Sequence, residues 1–164
     1  MSEYFDLGVY SRPASGLPSA QLWFDRGLVW LFAYNHEEAI VCFEKALEAD
    51  PKCAMAHWGI AYAIGPNYNK PWDAFEEEEK PDALDQAHQA MKSAMALLPT
   101  VSPTEEVLIR ALAKRYPENS DIDSFAPWND TYADAMRAVY QSHSADLDVC
   151  SLFAESIMNR TPWQ

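Results

Sequence analysis

The sequence predicts an all-α protein, a right-handed α-solenoid of about three and a half antiparallel helix pairs. Alanine, leucine and glutamate dominate the 164 residues and prolines interrupt them at intervals, which is typical of helices with short connections. Glycines number only 5, and no alternating strand-like run is bounded by hairpin turns. The third observation is an internal repeat, which indicates that helix pairs stack in an array.

The first helix of the repeating unit recurs along the chain. QLWFDRGLVW (21–30) aligns with MAHWGIAYAI (55–64) at an offset of 34 residues. The second copy maps by 48 residues onto a third, and the third maps by 45 residues onto a fourth. An offset that changes between copies predicts insertions inside the later units.

The second helix of the unit is clearest in EEAIVCFEKALEADP (37–51). Its small, aromatic and proline positions return 48 residues later: Ala39, Phe43, Ala46 and Pro51 become Ala87, Met91, Ala94 and Pro99. The 14 residues by which 48 exceeds 34 are an insertion between the two helices of the second unit, visible at 65–82. By the same reasoning the third unit has an insertion of 11 residues within 117–127.

This register predicts the organisation of the whole chain as one extension followed by one repeat domain. Residues 1–19 are an N-terminal extension, and residues 20–164 form the helical-repeat domain. Its units are expected at about 20–53, 54–101, 102–145 and, as a half repeat, 146–160.

The pattern resembles the tetratricopeptide repeat, which reads W-x2-L-G-x2-Y, then A-x3-F, then P. The first unit matches it with Trp23, Gly27, Ala39, Phe43 and Pro51. The resemblance covers about residues 20–160 and implies stacked helix pairs that bind protein partners. Residues 32–69 also look like the N-terminal block of larger microbial proteins with these repeats, so a shortened relative or a fragment is expected.

The small residues at fixed positions have a packing explanation. Gly27 and Ala39 are expected to face each other within the first pair, so that its two helices approach closely. Phe43 is expected to fill the space between the first unit and the next. Asn35 and Ser102 each precede a glutamate by three residues, which is the spacing of a capping box at a helix start.

The resemblance implies a concave groove lined by the first helix of each pair. An apolar and aromatic groove of this kind is expected to bind an apolar helix or segment of a partner. Alternatively, another part of the same chain fills it. The lining residues expected from the family's register are Phe24, Leu28, Leu31, Phe32, Met55, Trp58, Tyr62 and Arg110.

The insertion GPNYNKPW (65–72) carries turn formers and two aromatic residues directly after a groove-lining helix. A loop at this point is expected to cover part of the groove. Its candidate contact residues are Asn67, Tyr68, Asn69 and Trp72.

Cys53 and His57 are four residues apart, so on a helix their side chains share a face. A thiol and an imidazole can form a nucleophile–base pair or part of a metal site, with His36 as a further ligand. Structural packing is the favoured interpretation, because His57 occupies a position where the family has an aromatic residue. A small-molecule or metal-dependent function using these residues and the 65–72 loop is the alternative. No catalytic or phosphate-binding motif is present, so enzyme activity and a cofactor are not expected.

The formal net charge of −13 disfavours nucleic acid and anionic membranes as partners. The N-terminus does not resemble a signal peptide, no run is long enough to span a membrane, and the cysteines lack CxxC spacing. A cytoplasmic location with reduced thiols is therefore expected. The partner is expected to be a protein or peptide, and an open C-terminal end predicts a possible homodimer.

Overall fold

The fold is described by a computed structural model that covers residues 5–117 and 125–161. Within these ranges the regular structure is helical, apart from an isolated β-bridge between Asn67 and Lys70. The helices are α1 (Pro18–Phe32), α2 (His36–Ala49), α3 (Ala54–Ile64), α4 (Glu79–Ala96), α5 (Pro103–Ala113), α6 (Ala126–His143) and α7 (Leu147–Met158). The all-helical prediction is confirmed.

The helices pack in the order expected of a repeat array. Each helix from α1 to α7 contacts the next along the chain, and α3 also contacts both α1 and α5. The first helices of the three pairs therefore lie side by side, consistent with a tetratricopeptide-like solenoid. Helix α4 begins at Glu79, so the last residues of the predicted 65–82 insertion are already helical. Residues 118–124 of the second insertion lie outside the described residues.

The helix starts follow the local sequence signals. Ser102 and Glu105 form a complete capping box at α5, in which each side chain bonds the other residue's backbone N–H. The Asn35 side chain accepts a hydrogen bond from the Glu38 backbone N–H at the start of α2. Asp146 caps α7 by accepting from the backbone N–H groups of Asp148 and Val149. These caps satisfy donors that the first turn of a helix leaves without a partner.

The ring of Phe43 is the centre of packing between the first two units. It is fully buried, and a Cβ atom placed on Gly27 would lie within 2.9 Å of three of its ring carbons. A Cβ on Gly59, in the next unit, would lie within 2.8 Å of three ring carbons. The nearest neighbours of Gly27 are thus the ring atoms of Phe43 rather than Ala39, because the ring projects from α2 into the contact between α1 and α3.

None of the described helices is both long enough and apolar enough to cross a membrane.

Candidate binding face

The predicted groove residues lie mainly in the interior of the protein. We call those of α1 and α3 the concave face, after the groove that they are expected to line: Phe24, Leu28, Leu31, Phe32, Met55, Trp58 and Tyr62. All of these except the half-buried Phe32 are at most 3% exposed. Arg110 is exposed on α5 and pairs with Glu106 at 2.8 Å. In this conformation the concave face is therefore covered, and its role as a binding surface stays a prediction.

Two other segments of the chain cover the concave face. The first is the N-terminal strap, which we define as residues 10–14, and the second is α7. The strap, the concave face, α5 and α7 meet around a small cavity of about 10 Å³. Its lining residues are Arg12, Leu28, Phe32, Met55, Trp58, Leu108, Asp148 and Leu152. The loop 65–72, which the sequence suggested as a cover, is absent from this lining.

The strap and α7 are joined by a network of charged hydrogen bonds. Arg12 contacts Asp146 at 2.9 Å and Asp148 at 2.7 Å, while the Tyr10 hydroxyl donates to Asp148 at 2.7 Å. The side chains of Arg12, Asp146 and Asp148 are 15–26% exposed, so this network is partly shielded from water. Charge-assisted bonds in such a setting are stronger than bonds between neutral groups. The network fixes the start of α7 against the strap.

The protonation equilibria of this network reflect both its burial and its pairing. Burial raises the pKa of Asp146, but hydrogen bonds from Arg12 and from backbone N–H groups at the start of α7 outweigh it, so the net pKa is lowered. Burial lowers the pKa of Arg12, and its two carboxylate partners raise it by more. The ion pair is therefore present throughout the neutral range.

A second polar cluster lies where α7 meets α3. Arg115, just after α5, is fully buried, and its guanidinium lies 5.4 Å from the ring centroid of Tyr62 and 5.0 Å from that of Tyr132. One Nη of Arg115 donates to the carbonyl of Pro66, and the Tyr62 hydroxyl donates to Glu155 of α7. Burial, followed by the charge of Glu155, raises the pKa of Tyr62, so this hydroxyl remains a donor.

The Arg115 cluster is only partly satisfied by hydrogen bonds. Among the described residues, Nε and one Nη of Arg115 and one carboxylate oxygen of Glu155 form no hydrogen bond. A buried polar group without a partner costs about 1–3 kcal/mol. Glu155 lies close enough to Arg115 for their charges to attract, so the cluster holds α7 while leaving hydrogen-bonding capacity unused.

Sequence reasoning missed Arg12, Arg115 and the acidic residues of α7. Arg115 sits in an ordinary-looking segment, LAKRYP, at the end of α5. Arg12 and Asp146 are 134 residues apart, so local spacing gives no sign of their pairing. Arg12 and Asp146 meet only in the folded protein, where the strap lies against the start of α7.

The loop 65–72 packs against the residues that follow α5 and against the start of α6. Trp72 stacks on Phe125 at 4.6 Å between ring centroids and contacts the rings of Phe75, Tyr116 and Trp128, which anchors the insertion to the start of α6. Its other three candidate residues differ in exposure: Asn67 is buried, Tyr68 half-buried and Asn69 exposed.

A cleft of about 770 Å³ lies between this loop, the start of α2 and the start of α4. Asn67 and Asn69 line it together with His36, and the Asn67 amide lies 2.8 Å from Nδ1 of His36. Burial, with a smaller effect of the Arg115 charge, lowers the pKa of His36 to about 4. The imidazole is therefore neutral at physiological pH.

The three candidate metal ligands are engaged in separate contacts. The Cys53 thiol is buried and donates to the carbonyl of Ala14 at 3.6 Å, and burial raises its pKa to about 11. The His57 ring lies 3.2 Å from the Pro51 carbonyl. Within the described ranges no group of three or more His, Cys, Asp or Glu side chains is placed to hold a metal ion. The protonated thiol of Cys53 is also a poor nucleophile.

Residues 20–53 match the family model of the tetratricopeptide repeat. The chain carries a tetratricopeptide repeat. The matched segment comprises α1, α2 and the turn before α3, and together with the stacked helices that follow it supports assignment to the tetratricopeptide-repeat family. No curated protein and no solved structure gives a significant match to the chain. Repeats of this family serve in general as scaffolds for protein–protein interaction.

Proposed function

We propose that this protein is a cytoplasmic scaffold or adaptor that binds a peptide or helix of a partner protein on the concave face. The observation that supports it is the tetratricopeptide repeat at 20–53, whose first helix supplies half of that face. The concave face reaches solvent at the half-buried Phe32, and Arg110, the remaining predicted groove residue, is exposed on α5. These two are therefore the predicted groove residues that a partner can reach in this conformation.

The chemistry of the face favours an amphipathic helix as the bound element. Trp58 and Tyr62 present large rings, and Met55 supplies a flexible thioether that adapts to different apolar shapes. Helices bind such grooves through apolar residues spaced three and four apart. The overall charge of −13 disfavours nucleic acid as the partner.

Site-specific photo-crosslinking in the native cell tests this proposal. A photoreactive amino acid is placed at Phe32 or at Arg110, and in matched controls at the exposed residues Val41 on α2 and Gln89 on α4. We expect a defined protein adduct from the first two positions that is absent from the controls. Equal labelling at all four positions, or no adduct at any, would overturn the assignment of the face.

A further inference from the structure

Helix α7 combines two buried apolar residues with acidic flanks, and it meets both the concave face and the strap. Its buried side holds Val149 and Leu152 in the first half of the helix, followed by the polar Ser156 and, just after the helix, Asn159, whose carbonyl accepts from the Asn129 side chain of α6. Leu152 borders the small cavity that Met55, Trp58 and Leu108 also line. This is how an amphipathic helix binds an apolar groove.

The acidic flanks of α7 meet the two arginines of this region. Asp146 and Asp148 pair with Arg12, and Glu155 accepts from Tyr62, whose ring lies under the guanidinium of Arg115. The surface that α7 covers thus selects for carboxylates at both ends of a helix. The chain as a whole carries a net charge of −13, so a surface that attracts carboxylates differs from the rest of the protein.

The contact of α7 with the rest of the fold leaves hydrogen-bonding capacity unused at one end. Nε and one Nη of Arg115 and one carboxylate oxygen of Glu155 form no hydrogen bond within the described residues. A bound helix that forms the missing hydrogen bonds would be held more tightly at this end than α7 is. Helix α7 also packs along α6, where Phe153 stacks on Tyr140 at 5.0 Å between ring centroids.

We propose that α7 occupies the concave face as an intramolecular ligand, and that the partner displacing it is an acidic amphipathic helix with the same pattern of apolar and carboxylate residues. This inference rests on the proposed function and adds the chemistry of the partner and its regulation. The protein is autoinhibited until a competing helix supplies the bonds that α7 leaves incomplete.

Peptide binding to the full chain tests the inference. The probe is a fluorescent peptide of residues 144–161 with Cys150→Ser, measured by fluorescence anisotropy. The released variant is Asp148→Asn with Glu155→Gln, which leaves the Asp146 cap intact; the matched control is Asp134→Asn with Glu44→Gln, two exposed carboxylates away from the face. Because apparent affinity scales with the competent fraction, we expect the released variant to bind the peptide at least about tenfold more tightly than the wild type or the control.

The charge specificity is tested with a second peptide that carries the same two amide substitutions. We expect it to bind the released variant about tenfold more weakly than the acidic peptide. Equal affinity of all chains for the peptide, equal affinity of the two peptides, or no binding would each overturn the inference. The crosslinking at Phe32 and Arg110 does not use the released variant or the peptides. It can therefore still support the scaffold proposal if the proposal for α7 fails.

Hydrogen exchange of the wild type gives a measurement that does not depend on the variant's folding. An intramolecular ligand should open separately from the helices it covers, so amides of α7 should exchange at least about tenfold faster than the slowest amides of α3. If α7 and α3 exchange together through global unfolding, α7 is a structural part of the fold and the inference is wrong.

Discussion

Substituting Gly59 by alanine tests the packing of Phe43 between the first two units. In an ordinary helix this change is favourable by up to about 1 kcal/mol, because alanine loses less backbone entropy than glycine. Here the added Cβ would lie within 2.8 Å of three carbons of the Phe43 ring. The ring has little room to move away, because its opposite edge lies against Gly27, where a Cβ atom would also come within 2.9 Å of three ring carbons.

The balance of these two effects gives the expected magnitude. Overpacking a buried site costs about 1–3 kcal/mol, and the gain in helix propensity offsets part of it. We expect Gly59→Ala to lower the free energy of unfolding by about 1–2 kcal/mol, measured by urea denaturation. Gly16→Ala serves as a control, since a Cβ there meets no atom within 4 Å.

The background substitution Phe43→Leu makes the test decisive. With the ring removed, the same Gly59→Ala change should become neutral or stabilising, so its effect changes sign between the two backgrounds. Adjacent residues that share one contact are expected to be non-additive in this way. If Gly59→Ala stabilises both backgrounds equally, the ring is not confined between the glycines and the packing argument is wrong.

Three further predictions concern pH, thiols and association. The pKa of His36 is lowered from 6.5 to about 4, so the unfolded chain binds its proton first and stability should fall by about 1–3 kcal/mol as the pH drops through this range. In His36→Gln the free energy of unfolding should depend less on pH across this range. The same pH dependence as in the wild type would contradict the lowered pKa of His36. Chelators should leave the melting temperature unaltered if Cys53 is structural, whereas a stoichiometric metal lost on Cys53→Ser would favour the metal-dependent alternative. Ile157 and Met158 are each 39% exposed, so we expect concentration-dependent dimers in sedimentation that Met158→Lys weakens, and a strict monomer at high concentration would refute this.

The array was predictable because its signals are local. The spacing of Trp23, Gly27 and Phe43 within one unit is enough to define a helix pair, and the capping residue Ser102 marks the start of another. Sequence reasoning also identified Phe43 as the residue between units. It did not identify Gly59, because in the second unit this glycine stands at a different position from Gly27 in the first.

The covering of the concave face was not predictable in detail. Trp58 and Tyr62, two of the residues expected to line it, contact each other on α3, but Tyr62 also contacts Tyr132 of α6, Glu155 of α7 and Arg115. The contact between Tyr62 and Glu155 joins residues more than 90 positions apart, and no short-range period encodes it. Charged residues like Arg115 are usually exposed, so their position inside the fold follows only from tertiary packing.

The contact between Arg12 and Asp146 changes how this array should unfold. An open row of repeats behaves as a one-dimensional chain, and its terminal units fray independently of each other. Here a bond across 134 residues joins the strap to the start of α7, and the strap is itself bonded to Gln21 and Asp25 of α1, so the two ends of the described array are connected. Closing so long a loop is slow, because its entropic cost precedes most of the energetic return. We therefore expect the chain to melt as one cooperative unit and to fold more slowly than an open array of equal length, with closure as its late step.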